Sequence, residues 1–205
     1  MTPDGERTMC TYLGACAELG PEDIDARQVA SAAVTYLEGY LWDRPRAKDA
    51  FRLAMSLTHQ ADRRVALSLS DGFCVERHRA EFLDLVRSGV DVLFANEDEI
   101  RSLCQVSTTD AAVAQLRGAC EILVVTRGEK GSVVAGAGVQ YEVPAVPAAV
   151  VDTTGAGDAY AAGFLHGLTR GAGLHECAHL GSAAAARIIS HLGSHAIPDI
   201  TIRRG

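Results

Sequence analysis

One stretch of the chain constrains the fold more than any other. The apolar pair Val150–Val151 is followed by a turn of small residues, Gly155, Ala156 and Gly157, and Asp158 then begins a run of helix formers. A glycine turn that opens a helix leaves several backbone N–H groups unpaired, and the helix dipole adds positive potential there. Such a corner suits an anion, above all a phosphate group.

Asp158 has two interpretations at this corner. A carboxylate is electrostatically out of place if the corner only binds phosphate, but it is useful if a base is needed during phosphoryl transfer. Alternatively, Asp158 lies near the helix N-cap and only helps the helix to begin. A glycine turn followed by Asp does not decide between the two.

Continuous apolar strands alternate with helices along the rest of the chain. The predicted strands cover residues 64–69, 90–95, 122–126, 131–135 and 139–143. The predicted helices cover residues 47–60, 75–86, 97–103, 110–120, 156–169 and 174–190. This alternation indicates an α/β fold in which helices cover both faces of a mainly parallel sheet. No repeat, low-complexity segment or interior linker marks a second domain.

Three strand ends carry polar residues where ligands bind in such sheets, beyond the carboxyl ends of the strands. They are Asn96 with Glu99, Thr126 with Gly128, and the segment 152–158. We expect all three to lie at one edge of the sheet and to contribute to one site. The alternative for Thr126 and Gly128 is a plain β-turn.

Asn96 and Glu99 are three residues apart at a predicted strand-to-helix junction, so their side chains share one helical face. An amide and a carboxylate there can hold a hydrated Mg²⁺ ion, which prefers oxygen ligands. The alternative is a solvated acidic helix start, because carboxylates favour helix N-termini in any case.

A competing motif is His175-Glu-Cys-Ala-His179, which matches the HExxH pattern of zinc peptidases. Such an enzyme also needs a third protein ligand, and no Glu follows Glu176 in the chain. His191, His195 and Asp199 are the remaining downstream candidates. The alternative is an ordinary helix with polar residues near its start.

Charge and cysteine content exclude several classes of function. The net charge is −7 and the cationic residues are scattered, which argues against nucleic acid or an acidic membrane as the main partner. No transmembrane run or signal-peptide pattern is present, so we expect a cytoplasmic protein. The cysteines have no CxxC pairing, which favours buried reduced thiols over disulfides or a cysteine metal site; they are Cys10, Cys16, Cys74, Cys104, Cys120 and Cys177.

The motifs together resemble those of the ribokinase-like (PfkB) family of sugar and nucleoside kinases. Residues 152–158 read Asp-Thr-Thr-Gly-Ala-Gly-Asp, residues 94–99 read Phe-Ala-Asn-Glu-Asp-Glu, and residues 126–128 read Thr-Arg-Gly. Within that family the likeness is closer to adenosine kinases, through the segments 6–15, 39–41, 69–73 and 175–185. The resemblance implies a ribokinase-like three-layer α/β/α fold and an ATP-dependent phosphotransferase that acts on an alcohol group of a nucleoside or sugar.

The resemblance assigns the chemistry to the glycine corner. Asp158 would be the base that accepts the proton of the acceptor hydroxyl. The N–H groups of Gly155, Ala156 and Gly157 would form an anion hole for the charge that develops on the transferred phosphoryl group.

The resemblance also implies two cations. Asn96 and Glu99 would hold Mg²⁺ through its waters, and Asp152 and Thr154 match residues that support a monovalent cation such as K⁺ beside the anion hole. It places Thr126, Gly128 and Arg7 against ATP, and the loop 192–196 near the adenine.

The same resemblance places the chain in the C-terminal, ATP-binding and catalytic portion of the family domain. Residues 1–205 would form this portion, with 1–16 as a remnant of the β lid, and the orphan turn Pro3–Gly5 fits a start within the lid. Tyr40 and Leu41 would form one wall of the acceptor pocket. The family's N-terminal portion, which carries the Asp that grips the acceptor's hydroxyls, has no counterpart.

Three functional hypotheses follow. The first is a kinase for a small nucleoside or sugar, acting as a monomer or homodimer, with neither nucleic acid nor membrane as partner. The second is a non-catalytic nucleotide-binding fragment that lacks the acceptor site. The third is the zinc peptidase.

Overall fold

The computed structural model describes residues 12–195. The α-helices of this part of the chain are α1 Ala26–Ser31, α2 Pro45–Gln60, α3 Gly72–Gly89, α4 Glu97–Cys104, α5 Thr109–Leu116, α6 Ala156–Thr169 and α7 Leu174–Ile188. The strands are β1 Val34–Glu38, β2 Arg64–Ser68, β3 Val92–Asn96, β4 Ile122–Thr126, β5 Ser132–Gly136 and β6 Val139–Val143. Short 3₁₀ helices occur at Gly14–Glu18, Pro21–Asp23, Gly39–Asp43 and Gly128–Lys130.

The strands form one mostly parallel sheet in the order β1-β2-β3-β4-β5-β6. β1 pairs with β2 in parallel, with Val34 opposite Arg64, and β2 pairs with β3 in parallel, with Ala66 opposite Val92. The middle residues of β2 and β3 are buried, as expected for strands covered on both faces. The α/β prediction is therefore confirmed.

The predicted elements are found at nearly their predicted positions, and α6 has the predicted bounds. The largest difference is α5, which ends at Leu116 rather than at residue 120. Gly118 adopts φ +80°, a conformation that ends a right-handed helix and costs glycine little.

The chain forms two compact units. The larger unit contains residues 12–125 and 135–140, and the described part of the smaller unit contains 126–134 and 141–195. The boundaries fall within or beside strands rather than at a linker, which explains why the sequence shows no interior linker. The predicted lid remnant 1–16 lies mostly outside the described residues, and the last of it begins the 3₁₀ helix Gly14–Glu18.

The core of the larger unit is built around Trp42, whose ring centroid lies 5.7 Å from that of Phe51 and 5.9 Å from that of Phe82. All three rings are buried, together with Leu67 and Leu93 of the central strands. Burying each such side chain contributes about 1.5–3 kcal/mol to folding. These contacts fix α2 and α3, and therefore the loops that follow β1 and β2.

In the smaller unit α6 packs against α7 through glycine. A Cβ on Gly163 would lie 2.5 Å from the Leu180 carbonyl oxygen, and one on Gly181 would lie 2.8 Å from the Tyr160 carbonyl oxygen. The buried Tyr160 hydroxyl shares a 2.7 Å hydrogen bond with the Ser132 hydroxyl of β5. These contacts fix the start of α6. None of the helices within 12–195 is long and apolar enough to span a membrane.

Candidate active site

The glycine corner begins where the chain leaves residues 150–151 and ends in the first turn of α6. The N–H groups of Val151 and Asp152 both donate to the Ile189 carbonyl oxygen, at 2.8 and 3.3 Å. Gly155 is the N-cap of α6 in the left-handed conformation, φ 78° and ψ 8°, and no side chain caps the helix. The start of α6 is therefore open.

The backbone N–H groups of this corner differ in whether they are already hydrogen-bonded. The Ala156 N–H donates to the Thr153 carbonyl oxygen at 3.2 Å, at the long end of the usual range. Within residues 12–195 no hydrogen bond occupies the N–H of Gly155 or Gly157. Two of the three N–H groups expected to form the anion hole are thus open, and the third is used in a turn.

Asp158 lies in the first turn of α6 and is exposed. Its carboxylate makes no hydrogen bond or ion pair with any other residue that the structure describes. A carboxylate in this state can accept a proton from a ligand without first breaking an internal contact. Gly155 occupies the N-cap, so Asp158 caps no N–H group, but its position in the first turn also suits the helix dipole, and both interpretations of Asp158 stay open.

Asp152 supports the corner from inside the smaller unit. It is buried, its Oδ1 accepts from the Thr154 N–H at 2.9 Å and from the Thr154 hydroxyl at 2.6 Å, and its Oδ2 accepts from the Gly193 N–H at 2.9 Å. A buried carboxylate needs such donors to offset its lost hydration. Asp152 therefore ties the corner to the segment 191–195, a link that the sequence did not reveal.

The position of the segment 191–195 also explains why Gly155 must be glycine. A Cβ there would lie 2.8 Å from the Ser194 Cβ, in addition to the strain of a φ of +78°. Asp152 and Thr154 offer the oxygen atoms that an alkali cation takes, but these atoms already bond to each other. The monovalent-cation assignment remains a proposal.

Thr126 ends β4, and Gly128 lies in the turn that follows. The Arg127 N–H donates to the Gly131 carbonyl oxygen at 2.8 Å, and the Gly131 N–H donates to the Gly128 carbonyl oxygen at 3.0 Å. Gly128 has a φ of +58° and open space on its Cβ side, so a ligand can approach its backbone. Arg7 lies outside the described residues.

Gly131 is a requirement that the sequence reasoning missed. A Cβ there would lie 2.0 Å from the Val143 carbonyl oxygen, and its φ is +86°. The signal available in the sequence was Gly131 itself, the second glycine of residues 128–131, at the point where the predicted strand 131–135 begins. Because residue 131 has no Cβ, the end of β6 can lie directly against the turn that contains Gly128.

Asn96 and Glu99 form a capping box at the start of α4, in the larger unit. The Asn96 Oδ1 accepts from the Glu99 N–H at 2.8 Å, and the Glu99 carboxylate accepts from the Asn96 N–H and amide, both at 2.9 Å. The two side chains thus have a structural role at the helix start, but Glu99 is buried and not solvated as the alternative expected. The capping box leaves further lone pairs on each oxygen.

Glu99 also has a raised pKa, a property separate from its capping role. Burial and the negative charges of Asp71, Glu38 and Asp98 raise its pKa to about 7, although the Asn96 N–H opposes the shift. Carboxylates gathered around a buried Glu fit a divalent cation, which would relieve their mutual repulsion. Glu38 and Asp71 were not identified from the sequence, because they lie at the ends of other strands, Glu38 as the last residue of β1 and Asp71 after β2, and belong to no motif with Asn96.

The HExxH residues show no zinc site. His175 and His179 are exposed on α7, and the His175 ring contacts the Tyr141 ring edge-on at 5.8 Å. In the described part of the chain, no third potential ligand joins them in a cluster of metal-ligand atoms. The helical alternative explains the motif.

Comparisons with known proteins show the family and the fold of the chain. Residues 1–200 match the pfkB family carbohydrate kinase domain. The sequence of the chain is 52% identical to that of the protein in the crystal structure of adenosine kinase from Sinorhizobium meliloti. The two structures match with a TM-score of 0.92, over 95% of this chain and 60% of that one. The chain is 37% identical to a cytidine kinase of Thermococcus kodakarensis over 58% of this chain and 44% of the relative.

A more distant structure shares the fold. A putative ribokinase II from E. coli, solved with ATP and Mg²⁺, has a TM-score of 0.80 at 20% identity and is covered over 59% of its length. The chain thus spans about half to three fifths of the length of the proteins it matches. Its fold is the ribokinase-like α/β fold, and the match over residues 1–200 shows that this chain belongs to the PfkB family of carbohydrate kinases.

Proposed function

We propose that this chain carries the phosphoryl-transfer site of an ATP-dependent kinase that acts on a nucleoside hydroxyl, with adenosine as the first candidate acceptor. One observation carries the proposal. The start of α6 is uncapped, with open N–H groups at Gly155 and Gly157 and the exposed carboxylate of Asp158 in the same turn. A phosphate group and a base are needed together in phosphoryl transfer and in few other reactions.

In the proposed reaction the acceptor oxygen attacks the γ-phosphorus of ATP while the bond to the bridging oxygen of ADP breaks. Asp158 takes the hydroxyl proton as the new P–O bond forms. The N–H groups of Gly155 and Gly157 donate to the phosphoryl oxygens, where negative charge develops. The Ala156 N–H joins them if its long hydrogen bond to Thr153 opens.

Two cations are part of the proposal. Asn96 and Glu99 would hold Mg²⁺ through its waters, which neutralises charge on the ATP phosphates. The negative potential around Glu99 supports this assignment. Asp152 and Thr154 would support a monovalent cation beside the corner, chiefly by holding the backbone of residues 152–155 in place.

The nucleotide contacts and the location extend the same proposal. Thr126, the open backbone of Gly128 and Arg7 would contact ATP, and residues 192–196 would lie near the adenine. Residues 1–16 would belong to the lid, and an ATP-dependent enzyme of this kind would act in the cytoplasm.

The acceptor class rests on the similar proteins. The Sinorhizobium meliloti protein is an adenosine kinase and the Thermococcus kodakarensis relative is a cytidine kinase. Both names specify a nucleoside, so a nucleoside is the first acceptor to test, ahead of a free sugar.

A coupled assay that detects ADP tests the proposal. Purified protein with ATP and Mg²⁺ is given adenosine, cytidine, ribose or fructose in turn. We expect the highest kcat/KM with adenosine and a phosphorylated product in equal amount to the ADP. Preference for a free sugar would contradict the acceptor class.

A second candidate is favoured by the length of chain matched, which is 60% of the adenosine kinase structure. It is a nucleotide-binding unit without turnover. ATP binding by calorimetry together with no ADP formation for any acceptor would establish it. Failure to bind ATP would contradict both candidates.

A further inference from the structure

A second group of metal-ligating side chains lies away from the glycine corner and from the Asn96–Glu99 pair. It consists of Asp43, Cys74 and His78, whose ligand atoms all lie within 4.8 Å of one another. We propose that these three side chains bind one Zn²⁺ ion, a clasp that joins the segment after β1 to α3 within the larger unit. The proposal is independent of the proposed kinase function.

Two elements bring the three ligands together. Asp43 is the last residue of the 3₁₀ helix that follows β1, and Cys74 and His78 lie on α3, which follows β2. Residues four apart share one helical face. α3 is kinked at His78, with φ −120° and ψ 25°, and the His78 Nε2 lies 2.8 Å from the Asp43 Oδ1.

The ligand types select zinc. A thiolate, an imidazole and a carboxylate form a mixed set that Zn²⁺ accepts in tetrahedral geometry, with a water in the fourth position. Two such ligands around zinc are about 3.3 Å apart. The Asp43 Oδ1 must therefore retreat from His78 by roughly 0.5 Å. The Asp43 side chain is 38% exposed, and its partner Arg77 is 50% exposed and can move with it. The same exposure gives the ion and its water an entry path.

The surroundings of His78 have the arrangement typical of a metal-binding histidine. Its other ring nitrogen, Nδ1, lies 3.3 Å from the Glu81 Oε1. Glu81 in turn accepts from the Trp42 Nε1 at 3.0 Å and from the Lys48 Nζ at 2.8 Å. A carboxylate on the far side of the ring fixes which nitrogen faces the metal and makes the imidazole a better ligand.

The carboxylate ligand is fixed in the same way. The Arg77 guanidinium donates to the Asp43 Oδ1 at 3.1 Å and to its Oδ2 at 2.5 Å. These bonds orient the carboxylate beside the His78 ring. Metal-ligating carboxylates commonly carry such an outer hydrogen bond.

Binding requires the loss of one proton and no redox change. The Cys74 side chain is fully buried, and burial raises the pKa of its thiol to about 12. The thiol now points to the Gly39 carbonyl oxygen at 3.5 Å. As the S–Zn bond forms, the thiol proton passes to the buffer and the doubly charged ion compensates the buried thiolate.

Cobalt titration of the metal-free protein tests the clasp, because Co²⁺ reports a thiolate ligand through a charge-transfer band. We expect one equivalent of Co²⁺ to give this band and one equivalent of Zn²⁺ to abolish it. Cys74→Ser should lose the band. Cys104→Ser, which alters a buried thiol of α4 outside the cluster, should keep it.

A second variant keeps the test decisive if Cys74→Ser does not fold. His78→Gln retains the thiol and should weaken Zn²⁺ binding at least tenfold, and Zn²⁺ should raise the melting temperature of the parent protein but not of this variant. The proposal is overturned if the parent gives no thiolate band, if the band survives in Cys74→Ser, or if His78→Gln binds Zn²⁺ as tightly as the parent.

Discussion

Two helices of this protein begin at predicted ligand-binding segments, and they begin in opposite ways. α6 starts at an uncapped left-handed glycine, with open N–H groups and an exposed Asp158. α4 starts at a closed capping box, in which Asn96 and Glu99 satisfy each other's backbone donors and Glu99 is buried.

The difference explains what each helix start can bind. An open N-terminus presents donors and positive potential, so it suits an anion such as phosphate. A capped N-terminus has spent its donors on its own side chains and presents carboxylate oxygens instead, so it suits a cation. Two helix starts therefore yield complementary sites through their cap residues.

The largest expected effect is on turnover. Asp158→Asn in the active enzyme should lower kcat by at least about a hundredfold, because the amide cannot accept the hydroxyl proton. The unfolding free energy should stay nearly constant, since Asp158 is exposed and makes no internal contact. Steady-state kinetics and urea unfolding measure the two quantities.

Asp110→Asn is the matched control, because it removes an exposed acid from the first turn of α5. Turnover should be unchanged in that variant. If the two variants had equal kcat values, the open start of α6 would have no catalytic role.

The next effect is on the stability of the open corner. Gly155→Ala should lower the free energy of unfolding by about 3 kcal/mol, from left-handed strain and overlap with Ser194. Gly171→Ala has the same strain, at φ +77°, but open space around the new Cβ, so it should cost about 1 kcal/mol. Urea unfolding of both variants measures the contribution of the Ser194 contact. Equal losses of unfolding free energy would show that this contact contributes nothing.

The third effect is the pH dependence of the closed helix start. The folded protein holds the Glu99 proton with a pKa of about 7, above the ordinary value of 4.5. The folded state therefore binds more protons than the unfolded chain between these values, and stability falls as the pH rises through this window. The loss from pH 5 to pH 8 should be about 2 kcal/mol.

Glu99→Gln should remove this loss, and Mg²⁺ should reduce it in the parent protein by favouring the charged form. Thermal unfolding at the two pH values, with and without Mg²⁺, measures both effects. If the parent protein had the same free energy of unfolding at pH 5 and pH 8, folding would not raise the pKa of Glu99.

The smallest effect concerns the buried support of the open corner. Asp152→Asn places an amide donor against either Thr154 or Gly193, and should cost about 1.5 kcal/mol. Asp25→Asn alters an exposed carboxylate that caps α1 through two N–H groups, and should cost only a few tenths, because Asn caps equally well. Chemical unfolding distinguishes the two, and a neutral Asp152→Asn would contradict the link to Gly193.

Much of the corner was readable from the sequence because its signals are local. Glycine spacing predicted the turn, and the run of helix formers predicted α6 with the observed bounds. What could not be read is that the Ala156 N–H is used in a turn and that Ser194 lies against Gly155, because both follow from contacts made on folding.

The amino-acid sequence by itself determined the α/β class, the order of the elements from α2 to α7, and the positions of Asn96, Thr126 and Asp158 at strand or helix ends. Periodicity, glycine turns and capping residues act over a few neighbours, so a linear pattern is enough to place them. Tertiary structure alone decided that Asp152 bonds to Gly193, that Glu38 and Asp71 raise the pKa of Glu99, and that Asp43 meets Cys74 and His78. Those partners are far apart along the chain, and only the packing of strands and helices into a sheet brings them within hydrogen-bonding or electrostatic range.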